Sequence, residues 1–371
     1  MDRTLPNFLL MLPSLRPPAS VHSTGGSISN FYMLSDLCDL ARCLVAVPRT
    51  NAEPLASQKK LDVKYVPTPL SYPSTVYLTW DYWAWKYCNT VKINEKPDVV
   101  LASTAAIPAG HALSRRLGSL FVPLCRDYQN FFEAQNKSLQ TKTKNAILKT
   151  YHNRRTTRAF AQADRVICNS EHLKQRLKGH FSLDDKISVL YPPIDVPEEP
   201  VRRLPKSWEK LVIGYITKGP HKGDELISQL ANDNQDLRFR IWGRRPPCGL
   251  TSDNVHFQGW DAKRSRIYRS CDILLIPSQW DEPFGRVAAE ALIAGCTVLT
   301  SGRGGLSEII NDSYFHVSCD TTESWAQALY RVVGTPELSY EKTLSMQERA
   351  STLFAPNRHR EQLSHIVQSL F

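Results

Sequence analysis

Short apolar runs alternate with helical patterns from one end of the chain to the other, and this alternation constrains the fold more than any other feature. Parallel strands of one sheet need a long crossover between them, usually a helix, so the pattern predicts α/β domains with parallel sheets. The runs fall into two series. The strand candidates of the first series are 7–12, 43–47, 63–66, 98–102, 120–124 and 165–168, and those of the second are 211–216, 237–242, 255–258, 272–277, 297–301 and 314–317.

A proline-rich and charged stretch, residues 191–210, separates the two series and has the composition of a linker. At 371 residues and 42% hydrophobic content, the chain is long enough to form two cores. We therefore expect a first domain over residues 1–197 and a second over residues 208–353.

The most informative segment is 278–310, which reads SQWDEPFGRVAAEALIAGCTVLTSGRGGLSEII. Glu282 follows the strand candidate 272–277, and ligands of open α/β sheets bind at the carboxyl ends of strands. Glu290 lies in a run of good helix formers that stops at Gly295. The glycine-rich turn 302–305 follows the next strand, where backbone N–H groups can approach an anion.

This segment resembles the signature of the retaining glycosyltransferases of family 4, also called glycosyl transferases group 1. The two glutamates separated by seven residues stand in the fuller pattern PS…EPFG…EA…G…V…GG…E. Weaker likenesses are the element 163–170, the strand 254–259 and the Lys222-Gly223 pair. The resemblance implies the GT-B fold, in which two Rossmann-like doubly wound domains face each other across a cleft. The last helix of such folds commonly crosses back, so residues 354–371 would join the first domain.

The resemblance also implies roles for single residues. Glu282 would contact hydroxyls of the donor sugar, the backbone of Phe284 and Gly285 would line the sugar pocket, and Glu290 would hold the nucleotide ribose. Departure of a diphosphate needs charge stabilisation. The candidates for that task are Lys222, the pair Gly304 and Gly305, and the pair Gly25 and Gly26 at the start of the first predicted helix.

The sequence departs from the family pattern at two places. Tyr215 stands where relatives usually carry an arginine of the phosphate clamp, and Lys218 or Arg286 could substitute for it. Many relatives also carry a first-domain histidine where this chain has Arg126 and Asp127. Arg126 could steady an anion and Asp127 could bond an acceptor hydroxyl, although the two could instead pair with each other at the domain edge. We expect the nearby His111 to be structural.

A net charge of +10 favours an anionic partner, which could be a nucleotide diphosphate, phospholipid headgroups or nucleic acid. The basic segment 142–163 and the segment 77–88, rich in Trp and Tyr, suit an anionic membrane surface. A solvated basic face and an aromatic core helix would give the same patterns. No motif for nucleic-acid recognition is present, so we expect no nucleic-acid partner.

The remaining features concern redox state, metals and location. Nine scattered cysteines predict reduced core residues in a cytoplasmic protein, and no apolar run is long enough for a signal peptide or a spanning helix. We thus expect a soluble protein or one peripheral on the inner face of the membrane. No Asp-x-Asp pair follows a strand, and no His/Cys cluster has metal spacing. We therefore expect transfer without a metal or another cofactor.

The resemblance, together with the residues named above, implies a retaining, metal-independent transferase that moves a sugar from a nucleotide-diphosphate sugar to a glycan or lipid-linked acceptor. Such an enzyme would serve surface polysaccharide, lipopolysaccharide or glycolipid biosynthesis. The alternatives are a nucleotide-sugar epimerase of the same fold and, in a different class, a basic nucleic-acid-binding protein.

Overall fold

A computed structural model describes residues 5–16, 24–48, 61–66, 96–127, 146–183, 185–195, 211–261, 264–318 and 320–371. The chain forms two compact units. The first consists of Met1–Pro192 and His359–Phe371, and the second of Pro193–Arg358. The return of the last residues to the first unit means that the chain enters the second unit once and leaves it once.

The first unit is built on a seven-stranded sheet in which every pair of neighbours is parallel. The strand order β3-β2-β1-β4-β5-β6-β7 reverses direction between β1 and β4, as in a doubly wound sheet. The short last strand is not predicted by the sequence, because its three residues, of which only Ile187 is buried, are too few to show a periodicity. The strands are β1 (Asn7–Met11), β2 (Arg42–Pro48), β3 (Leu61–Val66), β4 (Val99–Ser103), β5 (Leu120–Cys125), β6 (Val166–Cys168) and β7 (Ile187–Val189).

Helices cover this sheet, and one of them comes from the chain's end. Leu363, Ile366 and Val367 of the last helix lie in the core of the first unit. Asp36 fixes the same helix, because its carboxylate accepts from His359 Nδ1 at 2.7 Å and from Arg360 at 3.3 Å. The helices of this unit are α1 (Gly25–Leu40), α2 (Ile107–Leu117), α3 (Ala146–Ala161), α4 (Glu171–His180) and, beginning at the boundary, the last helix α11 (Pro356–Gln368).

The second unit is built on a five-stranded parallel sheet of order β10-β9-β8-β11-β12, which reverses between β8 and β11. Its strands are β8 (Val212–Ile216), β9 (Arg238–Trp242), β10 (Val255–Gly259), β11 (Ile273–Ile276) and β12 (Thr297–Thr300). Its helices are α5 (Asp224–Asp233), α6 (Arg264–Arg269), α7 (Arg286–Ile293), α8 (Leu306–Ile309), α9 (Thr322–Gly334) and α10 (Pro336–Leu353).

The predicted strand 314–317 is wrong. Residues Ser313–Phe315 form a 3₁₀ turn, which the Asp312 carboxylate caps by accepting from the Tyr314 amide at 2.9 Å. Only His316 bridges to Thr300 of β12. The alternation of apolar residues there reflects burial of Phe315 beside the sheet and not membership of it.

Two further observations concern cysteines and membranes. The seven cysteines in the described ranges are free thiols, and all but Cys248 are buried. Within those ranges no helix combines the length and apolarity that crossing a bilayer requires. The tryptophan-rich segment 77–88 and residues 142–145 lie outside the described residues. Helix α3 carries exposed Arg154 and Arg158, with Arg155 half-buried.

Candidate functional site

The switch point of the second sheet, between β8 and β11, gathers most of the predicted site residues. Such a reversal leaves a crevice outside the carboxyl ends of the two central strands. The loop after β8 carries Lys218 and Lys222, and the loop after β11 carries Glu282. The sequence therefore placed these three side chains at neighbouring strand ends, and the fold brings two of them into contact, as Lys222 forms an ion pair with Glu282.

Asp224 holds the loop after β8 in place. Its carboxylate accepts from Tyr215 Oη at 2.5 Å, from Thr217 Oγ1 at 2.7 Å and from the Gly219 amide at 3.0 Å. Tyr215 is buried, and its hydroxyl also lies 3.2 Å from the Lys222 carbonyl oxygen. Burial first, and then Asp224, raises the pKa of Tyr215, so its hydroxyl stays a neutral donor. The residue that replaces the family's arginine thus supports the loop and brings no charge to it.

Glu282 is buried, and its carboxylate accepts hydrogen bonds from neighbouring side chains. Its Oε1 atom pairs with Lys222 Nζ and accepts from Ser278 Oγ at 2.5 Å. Lys222 Nζ also lies 4.7 Å from the centroid of the Trp280 ring. Burial by itself would raise the pKa of Glu282, but the charge of Lys222 and the hydrogen bonds from Lys222, Ser278 and Trp280 outweigh it and lower that pKa. Glu282 is therefore an anion at neutral pH.

The glycine-rich turn packs backbone to backbone against the Glu282 loop. Gly305 donates its amide to the Glu282 carbonyl at 2.6 Å. A Cβ atom on Gly304, whose φ is +64°, would lie 2.6 Å from the Glu282 nitrogen, and one on Gly305 would lie 2.7 Å from the Phe284 Cα. The Gly305 amide hydrogen is therefore bonded to the neighbouring loop in this structure, and the binding of an anion by the Gly304–Gly305 turn stays a prediction. Helix α8, which follows, has only four residues.

Phe284 and Gly285 can offer only backbone to a ligand. The Phe284 side chain is buried, and its ring meets Phe354 edge-on with centroids 5.2 Å apart. Gly285 has a φ of +97° and precedes α7, and a Cβ atom there would lie 2.7 Å from Leu306 Cδ2. Neither residue points a side chain outward, so only their backbone atoms are open to a ligand, and their role in the sugar pocket stays a prediction.

Glu290 lies on α7 and receives three side chains. Its Oε1 accepts from Arg286 Nε at 2.7 Å and from Arg264 Nη1 at 2.9 Å, and its Oε2 accepts from Tyr268 Oη at 2.7 Å. Burial opposes ionisation, but Arg286, Arg264 and the Tyr268 hydrogen bond outweigh it and hold the pKa of Glu290 below its ordinary range. A ribose hydroxyl would have to compete with these protein donors.

Lys218 interacts electrostatically with the carboxylates of both Glu282 and Glu290. Desolvation and the charge of Lys222 lower the pKa of Lys218, while Glu290 and Glu282 act in the opposite direction. Its side chain nevertheless keeps an exposed surface, so desolvation acts only on part of it. The cluster, which we call the switch-point cluster, has two more cations than anions. Its members are Lys218, Lys222, Arg264, Arg286, Glu282 and Glu290.

The predicted residues of the first unit gather at the start of α1. Gly25 and Gly26 form its exposed first turn, which Thr24 caps. Arg126, just after β5, donates to the Gly26 carbonyl at 3.4 Å and to the Asn30 side chain. Asp127 follows, and its carbonyl lies 3.7 Å from Cys125 Sγ. Arg126 and the glycine pair are thus neighbours, and the arginine joins β5 to α1.

His111 lies away from these residues. It lines a cavity of about 390 Å³ together with Asp98, Leu120 and Asp164, which stand at the amino ends of strands. The ring packs on Phe121 with centroids 5.3 Å apart. Burial and the charge of Arg115 lower the pKa of His111. This placement agrees with the structural role expected for it.

Several residues around the site are not indicated by the sequence pattern. Arg264 and Tyr268 are four residues apart, a spacing that puts them on one face of α6, but the sequence does not say what that face meets. Thr104, directly after β4 at the switch point of the first sheet, has a φ of +50°, which is rare for a β-branched residue. The other overlooked residues are Asp224, Ser278 and Trp280. Among the residues described, no group of three or more His, Cys, Asp or Glu side chains could hold a metal ion.

Two sequence models of protein families match the chain. The one described as "Glycosyl transferases group 1" matches residues 214–351, and the one described as "Glycosyltransferase Family 4" matches residues 31–198. Among curated proteins, a D-inositol 3-phosphate glycosyltransferase of Actinosynnema mirum is 28% identical over 48% of this chain and 51% of its own length. An uncharacterized 42.6 kDa protein in the cps region of Klebsiella pneumoniae is 53% identical over 26% of this chain and 28% of its own length. The chain thus spans about half, or less, of the length of the curated relatives it matches.

Solved structures match over nearly the whole chain at low identity. Sucrose-phosphate synthase from Thermosynechococcus elongatus has a TM-score of 0.79 at 16% identity and covers 98% of this chain and 99% of its own. HepE from Anabaena in complex with UDP-glucose has a TM-score of 0.69 at 16% identity, with 98% and 100% covered. WaaG, a glycosyltransferase involved in lipopolysaccharide biosynthesis, has a TM-score of 0.72 at 15% identity, with 97% and 99% covered. These likenesses show the GT-B fold.

Proposed function

The chain belongs to the glycosyl transferases group 1, and on that premise we propose that it is a retaining, metal-independent glycosyltransferase. Its donor is a nucleotide-diphosphate sugar, and its acceptor is a glycan or a lipid-linked glycan. We place it in the synthesis of a surface polysaccharide, lipopolysaccharide or glycolipid. The relative from a cps region and the structural neighbour from lipopolysaccharide biosynthesis support that placement.

The observation that carries the proposal is the charge of the switch-point cluster. Four cationic side chains face two carboxylates at the carboxyl ends of β8 and β11. Lys218 is exposed, but Lys222, Arg264 and Arg286 are largely buried, where cations without enough counter-charge are costly, so the site is suited to a ligand that supplies negative charge. A nucleotide diphosphate carries two or more negative charges and would balance the excess. The UDP-glucose bound to HepE is a donor of this class.

Different residues of the cluster can contact different parts of the donor. Lys222 can neutralise charge that develops on the leaving diphosphate. Glu282, held beside Lys222 as an anion, can accept hydrogen bonds from sugar hydroxyls, and the Phe284 and Gly285 backbone can lie along the sugar. Glu290 can accept from the ribose when one of its protein donors moves away.

Retention fits a front-face displacement at this site. The bond from the anomeric carbon to the phosphate oxygen breaks, and the bond to the acceptor oxygen forms on the same face of the sugar. The acceptor's proton passes to the leaving phosphate oxygen, so no further base is needed. The lysines and arginines of the cluster would take the place that a divalent metal ion holds in metal-dependent enzymes.

A panel of UDP, ADP and GDP sugars tests the proposal. A donor at 100 times its dissociation constant should stabilise the folded protein by about 2.7 kcal/mol in thermal unfolding. The stabilising donor is then incubated with glycan and lipid-linked acceptors, and the anomeric configuration of the product is read by NMR. A product with inverted configuration contradicts retention. Conversion of the donor to its epimer without acceptor would instead establish the epimerase.

A further inference from the structure

Glu290 receives two guanidinium groups, although one would balance its charge. Arg286 Nε lies 2.7 Å from Oε1 and comes from the same helix, one turn earlier. Arg264 Nη1 lies 2.9 Å from Oε1 and 3.3 Å from Oε2, and it comes from α6. Two guanidinium groups thus share one carboxylate in a largely buried place, where the positions of charges matter most.

The two arginines differ in their freedom to leave the carboxylate. Arg286 is tied to Glu290 by helix geometry, and its side chain is 11% exposed, against 21% for Arg264. Arg264 is the first residue of α6. Tyr268, one turn further along that helix, would keep its own hydrogen bond to Oε2 if Arg264 moved. Glu290 would then retain two protein partners and regain room on both oxygens for a hydroxyl donor.

The site also lacks the arginine of the phosphate clamp. Tyr215 occupies that position, and its hydroxyl is bound to Asp224. Lys218 lies within electrostatic range of both Lys222 and Arg264. The Arg264 guanidinium lies on the carboxylate that would hold the ribose, and the diphosphate of a nucleotide is attached to that ribose. A guanidinium can bind two phosphate oxygens at once, which a lysine cannot do.

Resting on the proposed function, we propose that Arg264 binds the donor's diphosphate, and that it moves from the Glu290 carboxylate to the phosphates as the donor enters. The phosphates then supply the counter-charge of Arg264, and Glu290 becomes available to the ribose. Arg264 thereby links recognition of the diphosphate to recognition of the ribose, and it performs the task that Tyr215 cannot.

The test compares binding of nucleosides with binding of their diphosphates. Uridine and UDP, adenosine and ADP, and guanosine and GDP are titrated calorimetrically into the wild-type chain, and the best-bound pair is used for the variants. Arg264→Gln should weaken diphosphate binding about tenfold, or 1.4 kcal/mol, and leave the nucleoside's affinity unchanged or slightly higher. The matched control is Arg266→Gln, which removes an exposed charge from the same helix and should change neither affinity.

Other outcomes overturn the inference. Equal weakening of nucleoside and diphosphate by Arg264→Gln would mean that Arg264 only positions Glu290, and unchanged diphosphate binding would mean that it binds no phosphate. Arg264→Lys, which keeps the charge, should show a smaller loss and guards against a folding defect in the glutamine variant. If the wild type binds no nucleoside diphosphate, the proposed function fails, and the inference fails with it.

Discussion

At the residue scale, the two glutamates of the switch-point cluster are ionised for the same physical reason. Glu282 is buried and Glu290 is largely buried, which by itself favours the neutral acid, and each is surrounded by cations and hydroxyl donors that favour the anion more strongly. The contacts that hold the charge of Glu282 come from loops, whereas those of Glu290 come from helices α6 and α7. The first carboxylate thus depends on loop geometry and the second on helix packing.

Replacing either glutamate by glutamine should lower transfer strongly. Each loses hydrogen bonds that involve a charged partner, worth about 1.5–3 kcal/mol, so kcat/KM should fall by roughly ten- to a hundredfold. Glu225→Gln, an exposed residue on α5, is the matched control and should keep wild-type activity. Near wild-type rates in both purified site variants would contradict the assignment of the site.

Because the pKa of Glu290 is lowered in the folded state, the free energy of unfolding should depend on pH. A carboxyl whose pKa is lower in the folded state stabilises the protein above its unfolded value, near 4.5, and loses that contribution as the pH falls through the folded value. The Glu290→Gln variant has no carboxyl group at this position, so this position does not titrate in the acidic range. The difference in unfolding free energy between wild type and this variant should therefore be constant at pH 6–7 and should shrink below about pH 4.5. Denaturant unfolding at pH 7, 5 and 4 measures it, and a constant difference would refute the prediction.

At the scale of elements, the glycine-rich turn and the Glu282 loop form one packed unit. Gly304 bridges to Glu282, and Gly305 approaches the Phe284 backbone more closely than any side chain would permit. The two loops follow the adjacent strands β11 and β12. Their contact sets the position of Glu282, so the glycines act on the site through backbone packing.

Gly304→Ala should therefore cost more than backbone strain alone. Its φ of +64° is unfavourable for alanine, and its Cβ atom would also meet the Glu282 backbone. Gly249→Ala is the matched control, because Gly249 has a φ of +77° with no atom within 4 Å of a built Cβ. We expect about 1 kcal/mol for the control and at least 1–3 kcal/mol more for Gly304→Ala in denaturant unfolding. Equal losses would mean that the two loops separate freely.

At the scale of the whole molecule, metal independence stays a prediction that rests on the cationic cluster. Lysine and arginine side chains that neutralise the leaving diphosphate would make a divalent ion unnecessary. Transfer should continue at its full rate in excess EDTA. Loss of activity that added magnesium or manganese restores would contradict the prediction.

Membrane attachment also concerns the whole molecule. Each basic residue near an anionic surface contributes about 1 kcal/mol, so the segment 142–158 could recruit the chain reversibly. Binding to vesicles should rise with the fraction of anionic lipid and fall with salt. It should fall again when Arg154, Arg155 and Arg158 of α3 are replaced by Glu.

The same charge change elsewhere provides the control for that experiment. Exposed Arg238, Arg244 and Arg245 belong to the second unit, and their replacement by Glu should leave vesicle binding unchanged. If the unaltered chain does not bind anionic vesicles at low salt, the basic face of α3 contacts solvent and not a membrane, and the acceptor must be a soluble molecule.

The sequence by itself determined the class of the fold and the strand ends at which the site lies. Buried parallel strands consist of apolar runs, and the crossovers between them are helices with their own periodicity. A tight turn after a strand contains glycines. Each of these features can be recognised in a short stretch of sequence. The glutamates of the signature were found in this way. Tertiary structure alone decided their partners. Arg264 and Tyr268 meet Glu290 only because α6 packs on α7, and Tyr215 contacts Asp224 through a folded loop. Local periodicity fixes which face of an element is buried, but it does not specify which side chain lies opposite, because that depends on the packing of elements far apart in the chain.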